Sequence, residues 1–144
     1  MTAKQYLMQL RRIEGHIAVL QEEIIRCRSR LESTTMNITG DRVQTSGGSD
    51  RFADQIAALV DKEQVFLDMI EDYELLRAKI VAKILGMDNP IHTGVLYSRY
   101  VENKSLAAIA DAYSYSNDRM RHIHGEALQA FAEKYLRAGN DSTP

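Results

Sequence analysis

Apolar residues recur at alternating steps of three and four along the N-terminal part of the chain. The series comprises Ala3, Tyr6, Leu10, Ile13, Ile17, Leu20, Ile24, Cys27 and Leu31. This heptad spacing is typical of a helix that packs along a narrow stripe against another helix. Thr2 is suited to cap such a helix. The pattern therefore predicts one long helix from Thr2 to Glu32.

The periodicity disappears between Ser33 and Ser49, where the sequence reads STTMNITGDRVQTSGGS. Thr, Ser, Gly and Asn over such a stretch predict a loop or a flexible link. The segment is long for a simple helical hairpin. Two interpretations remain open, a disordered connector and a loop that becomes ordered on a partner.

A second long apolar stripe follows Asp50, which is suited to cap it, and runs to about Leu85, where Gly86 is a natural stop. The stripe comprises Phe52, Ile56, Leu59, Phe66, Ile70, Tyr73, Ile80 and Ile84. Glu63 and Arg77 occupy stripe positions, where they either set the register or lie exposed at its edge.

The two long helices predict an antiparallel, coiled-coil-like hairpin. Their stripes could pack on each other, on a second copy of the chain, or on both. The residues predicted for oligomerisation or helix packing are Leu10, Ile13, Ile17, Leu20, Ile24, Leu31, Ile56, Leu59, Phe66 and Ile70.

The C-terminal part predicts shorter helices. Pro90 fixes a boundary, after which a short apolar helix ends near Val101. Ser105 can cap a helix from Leu106 to Tyr113, and Ser116 can cap the last helix. The expected buried face of that helix comprises Met120, Ile123, Ala127, Leu128, Phe131 and Tyr135. The chain is thus predicted to be all-α, with a hairpin over 1–89, its link near 33–49, and a helix-turn-helix domain over 90–144.

The last helix exposes polar side chains on its first turns. Asn117, Asp118, Arg121 and His122 are expected to face solvent, with Arg119 and His124 beside them. Arg can read guanine, Asn can read adenine and Asp can accept from cytosine, while Arg and His can meet phosphate. The residues predicted to contact DNA are Ser116, Asn117, Asp118, Arg119, Arg121 and His122.

The segment RYVENKSLAAIADAYSYSNDRMRHIHGEALQAF, Arg99 to Phe131, resembles the region 4 helix-turn-helix of sigma-70-type factors. The shared features are an "L..RY" helix, an "S-L-x-x-I-A" helix, a "Y-S" corner and an "S-x-x-R-M-R-x-I-x-x-x-A-L" helix. The resemblance implies that four residues contact DNA bases, namely Asn117, Asp118, Arg121 and His122. It also implies that Arg119 lies near the DNA backbone. Asn stands where Arg is frequent and Gly125 where a helix former is usual, so the family's promoter preference is not carried over.

The order of a long amphipathic part followed by this end also resembles small phage and prophage transcription regulators of the RinA and ArpU late-gene activator type. That resemblance implies that the protein binds double-stranded DNA and that bacterial RNA polymerase is a further partner. No sigma region 2 is present, so the chain is not expected to act as a complete sigma factor.

Charge and chemistry refine these expectations. The formal net charge is −2, with six basic and six acidic residues from Pro90 onward, so phosphate attraction alone is weak. A competing interpretation is therefore a protein-interaction module with little DNA affinity.

Phosphate loops and nucleophile elbows are absent from the sequence, so neither catalysis nor a cofactor is expected. His122 and His124 point about 200° apart on a helix, which argues against a metal site. A single Cys and the lack of a long apolar run favour a cytoplasmic protein without a membrane span.

Overall fold

The computed structural model describes residues 1–40 and 47–137, and every regular element within these ranges is helical. The predicted all-α class is therefore confirmed. The α-helices are α1 (Ala3–Leu7), α2 (Gln9–Gly40), α3 (Gly47–Leu85), α4 (Pro90–Leu96), α5 (Leu106–Tyr113) and α6 (Asn117–Phe131). Two π-helical segments, Tyr97–Val101 and Ala132–Arg137, directly follow α4 and α6.

The first predicted helix differs from the structure at its interior and at its end. Thr2 caps α1 as expected, in a reciprocal box with Gln5, but Met8 separates α1 from α2. The second difference is that α2 continues through the predicted loop start at Ser33 as far as Gly40. The hydroxyls of Thr34 and Thr35 donate to the carbonyls of Arg30 and Leu31, each at 2.8 Å. These bonds to preceding-turn carbonyls let polar residues remain within a helix.

Helix α3 begins before its predicted start. It includes Gly47, so Asp50 lies in its first turn instead of capping it. A carboxylate there is favourable because it faces the positive end of the helix dipole. Both helices thus extend into the link predicted over 33–49, and the part of that link at 41–46 lies outside the described residues. The predicted end at Leu85 is confirmed.

Residues 1–13 and 73–137 form one compact unit. Its larger core cluster consists of Ala3, Leu7, Leu10, Ile80, Ile84, Leu96, Tyr100, Ala127 and Phe131. Helices α1 and α6 are in contact, so N-terminal residues complete a core that the sequence assigned to 90–144 alone. The boundary of this unit therefore does not coincide with the predicted boundary at Pro90.

Residues 14–72 form the second unit, which contains parts of α2 and α3. Arg28 pairs with Glu63 at 2.7 Å, and Lys62 pairs with Glu23 at 3.1 Å. Ile24 is the only hydrophobic residue that is buried among the described residues of this unit. Its apolar stripe is consequently only half covered within one chain.

The residues predicted for helix packing divide between the two units. Leu10, in the first unit, and Ile24, in the second, are buried. Ile56 is exposed. The half-buried members are Ile13, Ile17, Leu20, Leu31, Leu59, Phe66 and Ile70.

Candidate nucleic-acid interface

A short turn connects α5 to α6, and the structure confirms the predicted serine caps on both helices. Ser105 accepts from the Ala108 N–H and Ser116 from the Arg119 N–H, each at 3.1 Å. Ser114 adopts the left-handed conformation, with φ 57° and ψ 39°. The Tyr115 N–H then donates to the Ala110 carbonyl at 2.9 Å. The turn therefore satisfies backbone groups at the end of one helix and the start of the next.

A small apolar cluster fixes α6 against the helices before it. Val95 of α4, Ile109 and Ala110 of α5, and Met120 of α6 are buried together. Further half-buried contacts are made by Leu106, Tyr113, Tyr115 and Ile123. Because Met120 and Ile123 face inward, the remaining side chains at the start of α6 project into solvent.

All six residues predicted to contact DNA are exposed and lie within one and a half turns of α6 or at its cap. The set is Ser116, Asn117, Asp118, Arg119, Arg121 and His122. The structure therefore gathers these side chains on a single accessible part of the molecule.

Arg119 is held over the turn by an aromatic side chain. Its guanidinium carbon lies 4.1 Å from the centroid of the Tyr115 ring. Tyr115 stacks in turn on Tyr113, with ring centroids 5.9 Å apart and planes inclined by 16°. A cation over an aromatic ring is attracted by the electron-rich face. Tyr115 thus orders an arginine at the edge of the surface while filling the turn.

Acidic side chains lie beside two further basic side chains of this surface. Arg121 lies 3.7 Å from Asp118, and the imidazole of His122 lies 3.5 Å from Glu126. Both pairs are largely exposed to solvent, so they add little stability and exchange readily for other partners. The surface is polar and rich in donors without a large excess of positive charge.

His124 does not belong to this surface, although the sequence predicted that it would lie beside it. Its Nε2 lies 2.8 Å from the Tyr100 hydroxyl, and the two rings are stacked with centroids 5.7 Å apart. Burial lowers the pKa of His124, and the positive charges of Arg99 and Lys4 lower it further. Burial also raises the pKa of Tyr100. His124 therefore contributes to the packing of α6.

A hollow of about 280 Å³ adjoins the exposed surface, between the start of α4 and the first half of α6. Its lining includes His92 and Glu126, whose side chains approach to 4.0 Å. Neither residue was among those predicted from the sequence for this surface. The four-residue spacing of His122 and Glu126 could have indicated that pair, whereas His92 is brought there only by the packing of α4 on α6. Within residues 1–40 and 47–137, no three side chains are grouped so as to hold a metal ion.

Comparison with known protein families, characterised proteins and solved structures finds no significant match to this chain. Among the described residues, no helix has the length and apolar character needed to cross a membrane.

Proposed function

We propose that the protein is a DNA-binding transcription regulator of the phage or prophage type, in which α5 and α6 act as a helix-turn-helix. The observation that carries the proposal is the exposed polar set on the first turns of α6, which follows a capped turn and is backed by the buried Met120. A helix entering the major groove needs a rigid apolar back and varied hydrogen-bonding side chains in front. The resemblance of Arg99 to Phe131 to sigma region 4 supports the same assignment.

Each exposed side chain has a chemical role in this proposal. Arg121 can donate two hydrogen bonds to one guanine, Asn117 can pair with the edge of adenine, and Asp118 can accept from cytosine. His122 is the fourth side chain directed at bases. Arg119 and Ser116 contact the phosphate backbone and fix the register of the helix. In this scheme Arg121 exchanges its contact with Asp118 for a base when DNA binds.

The long helices α2 and α3 form an antiparallel hairpin in this proposal. Two contacts between the helices support that direction. Glu23 of α2 pairs with Lys62 of α3, whereas the later Leu31 of α2 lines a hollow with the earlier Phe52 and Ile56 of α3. The hairpin joins two copies of the chain or contacts bacterial RNA polymerase. A second copy compensates for the small number of cations, since two tethered heads bind more tightly than one. The regulator has no enzymatic activity and works in the cytoplasm of the bacterial host.

The balanced charge of the surface favours a second candidate function. Asp118 and Glu126 lie beside Arg121 and His122, and acidic groups oppose the approach of phosphates. A module that binds RNA polymerase or another protein through α6, with little intrinsic DNA affinity, would tolerate this balance. The two candidates differ in whether the protein selects a DNA sequence.

Selection of bound fragments from phage and host DNA, at low and moderate salt, tests the proposal. The native protein is compared with Arg121→Ala and with Arg137→Ala as a matched control. Arg121 and Arg137 have side chains that are 69% and 71% exposed, and each lies 3.7 Å from a carboxylate on its own helical segment. Arg121→Ala is expected to weaken sequence-specific binding by about 1 to 3 kcal/mol, whereas Arg137→Ala leaves it unchanged.

Recovery of one motif that Arg121→Ala loses and Arg137→Ala retains supports the regulator. Circular dichroism of both variants separates lost contacts from lost helix. If all three proteins recover the same unselected fragments, the regulator proposal fails and binding to RNA polymerase becomes the function to test. If Arg121→Ala loses helicity together with DNA binding, Arg121 has a structural role instead.

A further inference from the structure

One side of the unit formed by residues 14–72 carries an exposed apolar patch, consisting of Ile25 on α2 and Ile56, Val60 and Leu67 on α3. The Arg28–Glu63 ion pair marks this side of the unit. Ile25 precedes Arg28 by three residues, Val60 precedes Glu63 by three, and Leu67 follows Glu63 by four. Positions three or four apart share a helix face, so the patch surrounds the ion pair.

The patch is not explained by packing within the chain. Val60 and Leu67 are 55% and 60% exposed, even though Ile24 of the same unit is buried. Exposed aliphatic side chains scattered singly are ordinary, but a group of them around one ion pair marks an interaction surface. A partner on this side covers the aliphatic side chains together with the Arg28–Glu63 pair at their centre.

We infer that this patch binds the same patch of a second copy of the chain in an antiparallel, two-fold symmetric contact. In such a contact, residue i meets residue j of the other copy and j meets i. Arg28 and Glu63 pair with each other at the surface, with side chains 60% and 38% exposed, so each Arg28 can exchange its own Glu63 for the Glu63 of the other copy. The surface is thus complementary in charge to itself.

The shape of the patch supports the same symmetry. A hollow of about 590 Å³ lies at one end, lined by Leu31, Glu32, Thr35, Phe52 and Ile56. Leu67 projects at the other end. The midpoint between Ile56 and Leu67 falls between Val60 and Glu63, close to the ion pair. A two-fold axis at that level would place each Leu67 against the hollow of the other copy.

This inference specifies the surface for the self-association included in the proposed function. It rests on that self-association but not on DNA binding. The oligomeric state is measured without DNA. If the protein is a monomer but selects a DNA sequence, only this inference fails. A dimer that selects no DNA sequence would overturn only the regulator.

Sedimentation equilibrium of the full chain is the first measurement, with Val60→Glu and Val65→Glu as a matched pair. Val65 is 51% exposed on the same helix, but five residues place it about 140° around the helix from Val60. We expect the native protein to be a dimer, Val60→Glu to associate at least about tenfold more weakly because it brings an unpaired carboxylate into an apolar contact, and Val65→Glu to remain unchanged. Circular dichroism checks that both variants keep the native helicity.

Mixing two charge variants tests the contact between copies directly. Arg28→Glu and Glu63→Arg each create like charges and are each expected to be monomeric. Their equimolar mixture is expected to form a heterodimer, because opposite charges then meet only between the two chains. A native monomer at high micromolar concentration, an equal effect of Val60→Glu and Val65→Glu, or a mixture that stays monomeric would each overturn the inference.

Discussion

His124 and Tyr100 make a polar contact inside an otherwise apolar part of the molecule. The hydroxyl of Tyr100, which is almost fully buried, has the imidazole of His124 as its hydrogen-bond partner. A buried hydroxyl without such a partner destabilises the folded state by on the order of 1 to 3 kcal/mol. The pair therefore connects α6 to the π-helical segment after α4 through a contact whose strength depends on the protonation of one ring.

This pair predicts that the stability of the protein depends on pH. The pKa of His124 is lowered from an ordinary value near 6.5, first by burial and then by Arg99 and Lys4. The unfolded chain therefore binds the proton more readily than the folded one. Its contribution to stability is fully present above about pH 6.5 and is lost as the pH falls through the lowered pKa of the folded state.

Urea denaturation across this pH range measures the effect. His124→Phe is expected to flatten the dependence of the unfolding free energy on pH, although it lowers stability overall by leaving the Tyr100 hydroxyl without its partner. Equal slopes in the native protein and His124→Phe would show that other groups control the pH dependence.

At the scale of elements, the serine caps could be predicted from the sequence because capping depends on a few adjacent residues. Ser105 and Ser116 each precede an apolar helical pattern, and the structure uses both. The extension of α2 beyond Ser33 was not accessible, since Thr and Ser favour loops in general. Here their hydroxyls donate to carbonyls of the preceding turn, and the composition of the segment does not predict these hydrogen bonds.

The cap of α6 predicts a measurable loss of stability. Ser116→Ala removes the acceptor for the Arg119 N–H and is expected to lower the unfolding free energy by about 1 kcal/mol. Ser29→Ala is a suitable control, because Ser29 lies within α2 and its hydroxyl donates to the carbonyl of Ile25. Ala favours helix interiors, so Ser29→Ala is expected to be neutral or slightly stabilising. Thermal and urea unfolding of both variants provide the comparison.

At the scale of the whole molecule, the candidate surface was predicted far better than its surroundings. Its six residues lie between Ser116 and His122, with the buried Met120 among them, so the periodicity of one helix places them together. His92 and the contribution of residues 1–13 depend on packing between distant segments, which periodicity cannot predict. His124 was misplaced even though it lies four residues after Met120 and seven before Phe131, a spacing that puts it on the buried face of α6.

The compact unit of residues 1–13 and 73–137 predicts that an N-terminal substitution weakens the C-terminal helices. Leu7 is fully buried in the same cluster as Phe131. Leu7→Ala is expected to lower stability by roughly 2 to 5 kcal/mol and to increase hydrogen exchange in α6. Leu20→Ala, at a half-buried position in the other unit, is expected to leave exchange in α6 close to native. Unchanged exchange in Leu7→Ala would mean that α6 is stable without α1.

The packing of Leu7 and Leu10 against a cluster that contains Phe131 also determines when this unit can form during synthesis. Leu7 and Leu10 emerge from the ribosome long before Phe131 is synthesised. Helices α2 and α3 are local structures that can form early, whereas the cluster closes only after residue 131 has been translated and is free to pack. Contacts between such distant segments slow folding because a long intervening chain must first be ordered. The apolar face of α1 therefore stays uncovered until residue 131 has been translated, and chaperones that bind apolar segments of nascent chains can reach it during that interval.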